Sequence, residues 1–197
     1  YGDGTCLMGS SPAKIDGPYL CFNSAKSWQL GWYDDTQLML NAEEISDNLY
    51  QLVSIAEYNI ITAIDDYTII KITKCADKFE YFINFNRKIG ITADSEEGTN
   101  NVLVTKIPST SSYQDSLLVA RLKEKEEYVA KVLIGGKLIA INAKSLTMDS
   151  SPAYAIVRIS KYLKCKSDSN CNDYDACTTD KCINCLLYTS PSPRDEV

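Results

Sequence analysis

Cysteine is the residue type with the most prominent chemistry in this chain, because its 197 residues include eight cysteines and no histidine. The cysteines do not show the spacing of a zinc site, and without histidine the chain lacks the commonest metal ligand and acid–base side chain. Eight cysteines are many for a cytosolic protein, because disulfides persist in oxidising compartments. The composition therefore predicts an extracellular or secreted protein.

Two of the cysteines bracket a short loop near the N-terminus. Between Cys6 and Cys21, residues 9–18 are rich in glycine, serine and proline, which favour turns over regular structure. A disulfide that closes so short a loop would fix its shape and add ~3 kcal/mol to the free energy of unfolding. We therefore predict a disulfide between Cys6 and Cys21.

Four more cysteines crowd the polar, acidic segment 165–182, which reads CKSDSNCNDYDACTTDKC. Such a segment cannot bury a core without cross-links, so we predict that these cysteines pair among themselves, in one of three connectivities. Cys75 is then the odd thiol, because Cys185 belongs to a segment that looks like a translated sequencing adapter, as described below. Calcium is an alternative ligand for the acidic and amide side chains, but the turn glycine and bidentate glutamate of an EF-hand loop are absent. The four cysteines are Cys165, Cys171, Cys177 and Cys182, and the calcium candidates are Asp168, Asn170 and Asn172.

The charge and hydropathy of the chain exclude several classes of partner. The net charge is −6, the pI is near 4.8 and the lysines are scattered, which argues against nucleic acid and anionic membranes as partners. No apolar run approaches the ~18 residues of a membrane span. Without an initial Met or a signal peptide pattern, the chain reads as a fragment or a processed piece.

The spacing of the apolar residues changes along the chain, and with it the predicted secondary structure. Cys21, Ala25, Trp28 and Trp32 recur at helical spacing, after a possible cap at residue 23 or 24. Beyond residue 44 the period becomes two, as in FEYFINF, and about eight short strands follow with no intervening helix. The pattern predicts an antiparallel β-sandwich of the jelly-roll or a similar type, with most tyrosines in core and cross-strand packing. The other strand-like runs are LYQLVSI, YTIIKIT, NVLVTKI, SLLVARL, YVAKVLI, KLIAINA and AYAIVRI.

The N-terminal segment carries a specific resemblance. The residues YGDGTCLMG, a variable loop and then GPYLCFNSAKSWQLGWY are similar to gametolysin-type metallopeptidases of algae, which belong to the metzincin clan of zinc proteases. The resemblance covers roughly the first 35 residues well, and YFINFNRKIGITADSEEGTNNVLV, Tyr81 to Val104, resembles a downstream part of that family.

The resemblance implies roles for several residues. Met8 would be the Met-turn methionine beneath the zinc, and the helix from Cys21 to Trp32 would be the last helix of the catalytic domain. The loop between them would border the pocket for a substrate side chain, with Tyr19 as a candidate wall residue and a buried structural tyrosine as the alternative. By itself, Met8 would be an ordinary core methionine.

The family binds zinc through an HExxHxxGxxH motif, in which three imidazoles hold the metal and the glutamate is the general base. This chain has no histidine, so it contains no catalytic residue and no metal ligand of that set. Carboxylates such as Asp3 and Asp16 do not favour a catalytic zinc geometry. We therefore expect a C-terminal fragment that starts after the zinc motif: zinc would belong to the full-length protein, and this fragment would bind none.

Two further segments resemble known sequences. Cys177 to Cys182, CTTDKC, is similar to the short Cys-Thr-x-Asp-x-Cys repeats of extracellular slime-mould and algal proteins. CLLYTSPSPRD, Cys185 to Asp195, looks like a translated sequencing adapter. The predicted organisation is residues 1–40 as the end of a metzincin catalytic domain, 45–163 as a β-sandwich, 164–184 as a Cys-rich repeat fragment, and 185–197 as adapter translation.

Two functions from different classes follow. The first is a secreted zinc metalloendopeptidase that acts on extracellular or cell-wall proteins, of which this chain is the C-terminal, inactive part. The second is a non-catalytic extracellular module in which the β-sandwich binds or adheres to a partner. An HExxHxxGxxH motif encoded in frame before Tyr1 would support the first, and a complete gene without that motif would support the second.

Overall fold

The structure is a computed structural model of the chain, and it describes residues 3–7, 20–61, 63–95, 97–109, 114–134, 137–163, 178–183 and 186–191. Among the described residues, strands far outnumber helices, which confirms the predicted mainly β class. Two five-stranded sheets form the body of the fold, and a two-stranded sheet follows them.

The strands lie in three sheets. Sheet A has the order β1-β4-β5-β6-β7, sheet B has the order β3-β2-β10-β9-β8, and β11 pairs with β12. The bounds are β1 Gln37–Asn41, β2 Asn48–Val53, β3 Asp66–Tyr67, β4 Ile69–Thr73, β5 Phe79–Asn86, β6 Asn101–Pro108, β7 Leu117–Leu122, β8 Glu127–Ile134, β9 Lys137–Thr147, β10 Tyr154–Leu163, β11 Thr178–Ile183 and β12 Leu186–Pro191. All eight strand-like runs of the sequence are strands here.

Helices are short. In the described part of the chain, one α-helix, α1, spans Ser24–Gln29, and three 3₁₀ helices span Asp34–Thr36, Ile55–Ile60 and Gly90–Thr92. Asn23 caps α1, since its side-chain Oδ1 accepts from Lys26 N at 3.0 Å. Gly31 follows with φ +70°, a conformation that favours glycine. The predicted helix therefore exists, with Asn23 as the cap rather than the alternative Ser24, but it is shorter than the stretch from Cys21 to Trp32.

A hydrophobic core lies between sheets A and B. In β5, Tyr81, Ile83 and Phe85 alternate along the strand and face this core, as the period of two requires. Sheet B contributes inward side chains at alternate positions of β10 in the same way. Side chains of both sheets in this core are Leu52, Ile70, Ile72, Tyr81, Ile83, Phe85, Val102, Val104, Ile139, Ile141, Val157 and Ile159.

The opposite face of sheet A is covered by α1. Ala25 of the helix packs with Phe82, Ile69 and Ile107, all of which are buried in a second, smaller cluster. The ring of Trp28 meets Phe82 edge to face, with 6.0 Å between ring centroids. The described part of the fold thus has three layers, in the order α1, sheet A, sheet B.

The pairings at two sheet edges are parallel, which differs from the predicted antiparallel arrangement. β1 runs parallel to β4, and β2 runs parallel to β3. Parallel neighbours need a crossover connection, and the chain supplies one by leaving sheet A after β1, passing through β2 and β3 of sheet B, and returning in β4. The period of two predicts which face of a strand is buried but not the direction of its neighbour.

Candidate functional site

The N-terminal segment is held beside α1 by one backbone hydrogen bond and a buried carboxylate. Leu7 N donates to Cys21 O at 3.0 Å. Asp3, only 4% exposed, accepts from Thr5 N at 3.0 Å and from Asn23 Nδ2 at 2.8 Å. Asn23 Nδ2 also donates to Ser116 Oγ at 2.7 Å. The cap residue of α1 therefore joins the N-terminal segment to the chain just before β7.

A second contact fixes the same segment from the other side. Gly4 N donates to Glu97 Oε2 at 2.8 Å, and Glu97 forms an ion pair with Arg121. A Cβ at Gly4 would lie 2.6 Å from that Glu97 oxygen, so a larger residue here would displace the Glu97 carboxylate at the end of its flexible side chain. The sequence pattern does not indicate the contacts of Gly4 with Glu97 or of Glu97 with Arg121, because these residues are far apart along the chain.

The two cysteines predicted to form a disulfide lie near each other. Asn23 N donates to Cys6 Sγ at 3.3 Å, and the backbone of Cys21 bonds the residue after Cys6. In the structure Cys21 is a thiol, 3.9 Å from Tyr33 Oη. Burial raises the pKa of the Cys21 thiol, and electrostatic repulsion from Cys6 raises it by a smaller amount. The Cys6–Cys21 disulfide stays a prediction.

Most of the other predicted site residues lie outside the described residues. These are Met8, Tyr19, Asp16, Cys165, Cys171 and Cys177. Cys182 lies on β11, opposite Leu187 of β12. Strand β12 falls within the segment from Cys185 to Asp195 that was predicted to be adapter translation. Cys75 is buried and is described as a thiol. The pairing of the four C-terminal cysteines is therefore still a prediction.

Several large apolar side chains are exposed around α1. Leu7 is 47% exposed, Leu30 is 48% exposed and Trp32 is 43% exposed. Trp32 packs against Phe22, with 5.3 Å between ring centroids. The rings of Tyr33 and Tyr58 are also in contact, with 4.9 Å between their centroids, and the Tyr58 hydroxyl donates to Asp35. This apolar surface lies beside the segment that resembles the Met-turn.

The side chains of the chain do not fit the zinc site of the family that it resembles. Among the described residues, no group of three or more histidine, cysteine or acidic side chains is placed to hold a metal ion. The sequence also contains no imidazole, and the metzincin site uses three. We therefore derive no zinc chemistry from the residues of this chain.

A groove on the outer side of sheet B has both apolar and polar lining. Its volume is about 630 Å³, and residues 48–51 of β2, Asp65, Tyr67 and Ile156 line it. Leu49, 63% exposed, and Ile156 also line a second groove of about 500 Å³ with the Asp47–Arg158 ion pair and Lys144. Burial, followed by electrostatic repulsion from Asp65 and from the phenol group of Tyr50, raises the pKa of Tyr67. Sequence analysis gave no signal for this groove.

A buried ion pair lies at the other end of the sandwich. Arg87 Nε and Glu57 Oε2 are 3.6 Å apart, and both side chains are largely buried. Glu57 Oε1 accepts from Ala153 N at 3.2 Å, and Arg87 Nη1 contacts Met148 Sδ. The pair joins the 3₁₀ helix Ile55–Ile60 to the start of β10, which is a structural role.

No helix in the part of the chain that the structure describes is long and apolar enough to cross a membrane. Comparisons with models of protein families, with curated proteins and with solved structures found no match to this chain. The mainly β fold and the geometry of its clefts are therefore the structural basis for any functional assignment.

Proposed function

We propose that this chain is the C-terminal part of a secreted, gametolysin-like zinc metalloendopeptidase that cleaves extracellular or cell-wall proteins. The observation that carries the proposal is the order of two segments: a Cys-Leu-Met-Gly turn at residues 6–9, then a tryptophan-containing helix. In the family that these residues resemble, that order places the methionine beneath zinc and the helix at the end of the catalytic domain.

Two structural features support the proposal. The hydrogen bond from Leu7 N to Cys21 O brings the segment that leads into the turn next to the start of α1. Leu7 in that segment, and Leu30 and Trp32 after α1, are exposed apolar side chains, and exposed apolar surface is typical of proteins that bind another polypeptide. In the longer protein, the upstream part of the catalytic domain would be the polypeptide that covers these side chains.

The residues of this chain set a limit on its own activity. A metzincin site needs three imidazoles and a carboxylate base, and the chain has no histidine. We expect the purified chain to be inert towards casein or gelatin with added zinc and to tend to aggregate through its exposed apolar surface. Proteolysis that a chelator abolishes, in a preparation free of other proteases, would contradict the proposal for this fragment.

The test of the proposal is the coding sequence upstream of Tyr1. We expect it to encode HExxHxxGxxH in frame, and the longer protein to cleave casein in a zinc-dependent way. Substitution of the motif glutamate by glutamine should abolish cleavage, whereas Tyr19→Phe should change the preference among peptide substrates. A complete gene without the motif would rule out the peptidase.

The second candidate is a non-catalytic extracellular module that binds a partner through the β-sandwich. The groove beside β2 favours it, since this groove lies on the sandwich itself and needs no upstream residues. The two candidates are distinguished by the upstream motif, because a binding module requires none.

A further inference from the structure

The edge of sheet B at β2 is only partly covered. β3 pairs with β2 at two positions alone, Gln51 with Asp66 and Leu52 with Tyr67. Within the part of the chain that the structure describes, no strand pairs with residues 48–50 on that side of β2. Alternate residues of this stretch therefore direct their N–H and C=O groups towards an open edge.

The groove described above lies along this open edge. Its lining includes the uncovered residues 48–50 and Asp65, the residue just before β3. Other proteins protect such edges with lysine, proline or a bulge, but residues 48–51 contain no lysine and no proline. Within the described residues, the backbone groups at positions 48–50 on this side of β2 pair with no other strand.

The side chains of the groove suit alternate side chains of an extended peptide. On the outer face of sheet B, Gln51 pairs with Ile156 and Leu49 with Arg158, so Leu49 and Ile156 form an apolar floor. On the other side, Tyr50 and Tyr67 pack at the margin of the core. A strand added to this edge would direct its side chains alternately to these two surfaces.

The charge of the groove indicates one feature of the bound peptide. Asp65 is the only charged residue in the lining, and the carboxylate of Asp66 accepts from Gln51 Nε2 at 2.6 Å. The chain has a net charge of −6, which also attracts cations. A basic side chain on the peptide would complement Asp65.

We propose that residues 48–50 of β2 bind an extended, basic peptide segment as an added strand, with an apolar side chain of the peptide over Leu49 and Ile156 and a lysine or arginine at Asp65. This site does not depend on the proposed peptidase activity. In an active peptidase it would hold polypeptide away from the catalytic centre, and in a binding module it would be the recognition site.

The test uses a fluorescein-labelled peptide of alternating valine and lysine, and the same peptide with N-methylated backbone amides. We expect saturable binding of the first by fluorescence anisotropy, with amide shifts in the NMR spectrum concentrated at residues 48–51 and 65. The N-methylated peptide should bind at least tenfold more weakly, because it cannot donate to the open edge.

Two variants and two matched controls locate the site. Asp65→Asn should weaken binding about two- to fivefold, an effect that salt reduces, whereas the exposed Asp149→Asn should leave it unchanged. Leu49→Ser should weaken binding by about tenfold. Leu117→Ser, at a site 56% exposed on the edge strand β7, is its control.

Three results would overturn the proposal. The first is no saturable binding of the valine–lysine peptide, or equal binding of its N-methylated form. The second is displacement of the probe by a neutral oligosaccharide, which would assign the groove to a glycan. The third is a dimer in sedimentation that Leu49→Ser dissociates, which would make a second copy of this chain the occupant.

Discussion

Asp3 shows how a polar residue near the N-terminus organises this structure. Its described hydrogen bonds are with neutral groups of Thr5 and Asn23, and the residue is 4% exposed. A buried carboxylate is tolerated only when its oxygens accept hydrogen bonds, so removal of a donor leaves a costly group behind. Asn23 is that donor, and it also caps α1, so one amide serves both the carboxylate and the helix.

The first prediction at this scale concerns Asn23. Asn23→Ala removes the cap of α1 and the Nδ2 donor to Asp3, so we expect the free energy of unfolding to fall by about 2–3 kcal/mol. Urea unfolding followed by circular dichroism measures it. The control is Asn59→Ala, at an exposed site, which should change stability by less than about 0.5 kcal/mol. Equal effects of the two substitutions would contradict the double role of Asn23.

The second prediction concerns the buried thiol. Burial, then the charges of Asp77 and Glu80, raises the pKa of Cys75 to about 12. Because the unfolded thiol has the lower pKa, 9.0, its contribution to stability is present below pH 9 and is lost as the pH rises towards 12. We expect iodoacetamide near pH 8 to leave Cys75 unmodified in the native protein and to alkylate it in concentrated guanidinium chloride.

Mass mapping of the same samples tests the cysteine pairing. Alkylation of native Cys75 would contradict its burial, and a bridge from Cys75 to the C-terminal cysteines would contradict the predicted separation of the two regions. Under oxidising conditions we expect a peptide pair joined through Cys6 and Cys21.

At the scale of elements, β5 carries much of the architecture. Tyr81, Ile83 and Phe85 face the core between the sheets, whereas Phe82 faces α1 on the other side. The strand is buried on both faces over this stretch, which is why its sequence is almost continuously apolar and aromatic. The 3₁₀ helix with Glu57 connects β2 and β3 of sheet B, and the ion pair of Glu57 with Arg87 links it to the residue that follows β5 of sheet A.

The third prediction tests that connection. Glu57→Gln keeps an oxygen for Ala153 N but leaves the buried Arg87 without its ion-pair partner, so we expect a loss of about 2 kcal/mol in the free energy of unfolding. Glu124→Gln is the matched control, since this residue is on the surface beside Lys125 and its loss should cost under about 0.5 kcal/mol. Thermal and urea unfolding should agree; a Glu57→Gln protein as stable as the control would show that the pair contributes nothing.

At the scale of the whole molecule, the N-terminal segment and the β-sandwich share contacts. β1 joins sheet A beside β4, α1 packs on Phe82, and Asn23 bonds Ser116. The predicted division between residues 1–40 and 45–163 therefore passes through packed structure. Because the two tryptophans lie on one side of this division, their fluorescence reports whether the two parts unfold together.

The fourth prediction uses those tryptophans. Trp28 and Trp32 are the only two in the chain and both lie in the N-terminal segment, whereas most strands lie in the sandwich. We expect tryptophan fluorescence and far-ultraviolet circular dichroism to report one coincident urea transition, because shared burial makes unfolding cooperative. A fluorescence transition at clearly lower urea would show that residues 1–40 form a separate unit.

The amino-acid sequence by itself determined the eight main strands, the helix and its cap, and the mainly β class. These features depend on local patterns: alternation sets the buried face of a strand, and an asparagine before an amphipathic turn caps a helix. Four strands were not predicted: β1 and β3 at the sheet edges, and the hairpin of β11 and β12. β3 has only two residues, and β1 is recognised only through its pairing with β4.

Only the tertiary structure decided which strands are neighbours, and with them the candidate sites. The buried cluster of Asp3 and Asn23, the pair of Glu57 and Arg87, and the open edge beside Leu49 each join residues that are distant along the chain or depend on where a neighbouring strand ends. A sequence pattern predicts whether each residue is buried but not which strand lies beside it, because many different strand pairings would bury the same apolar face.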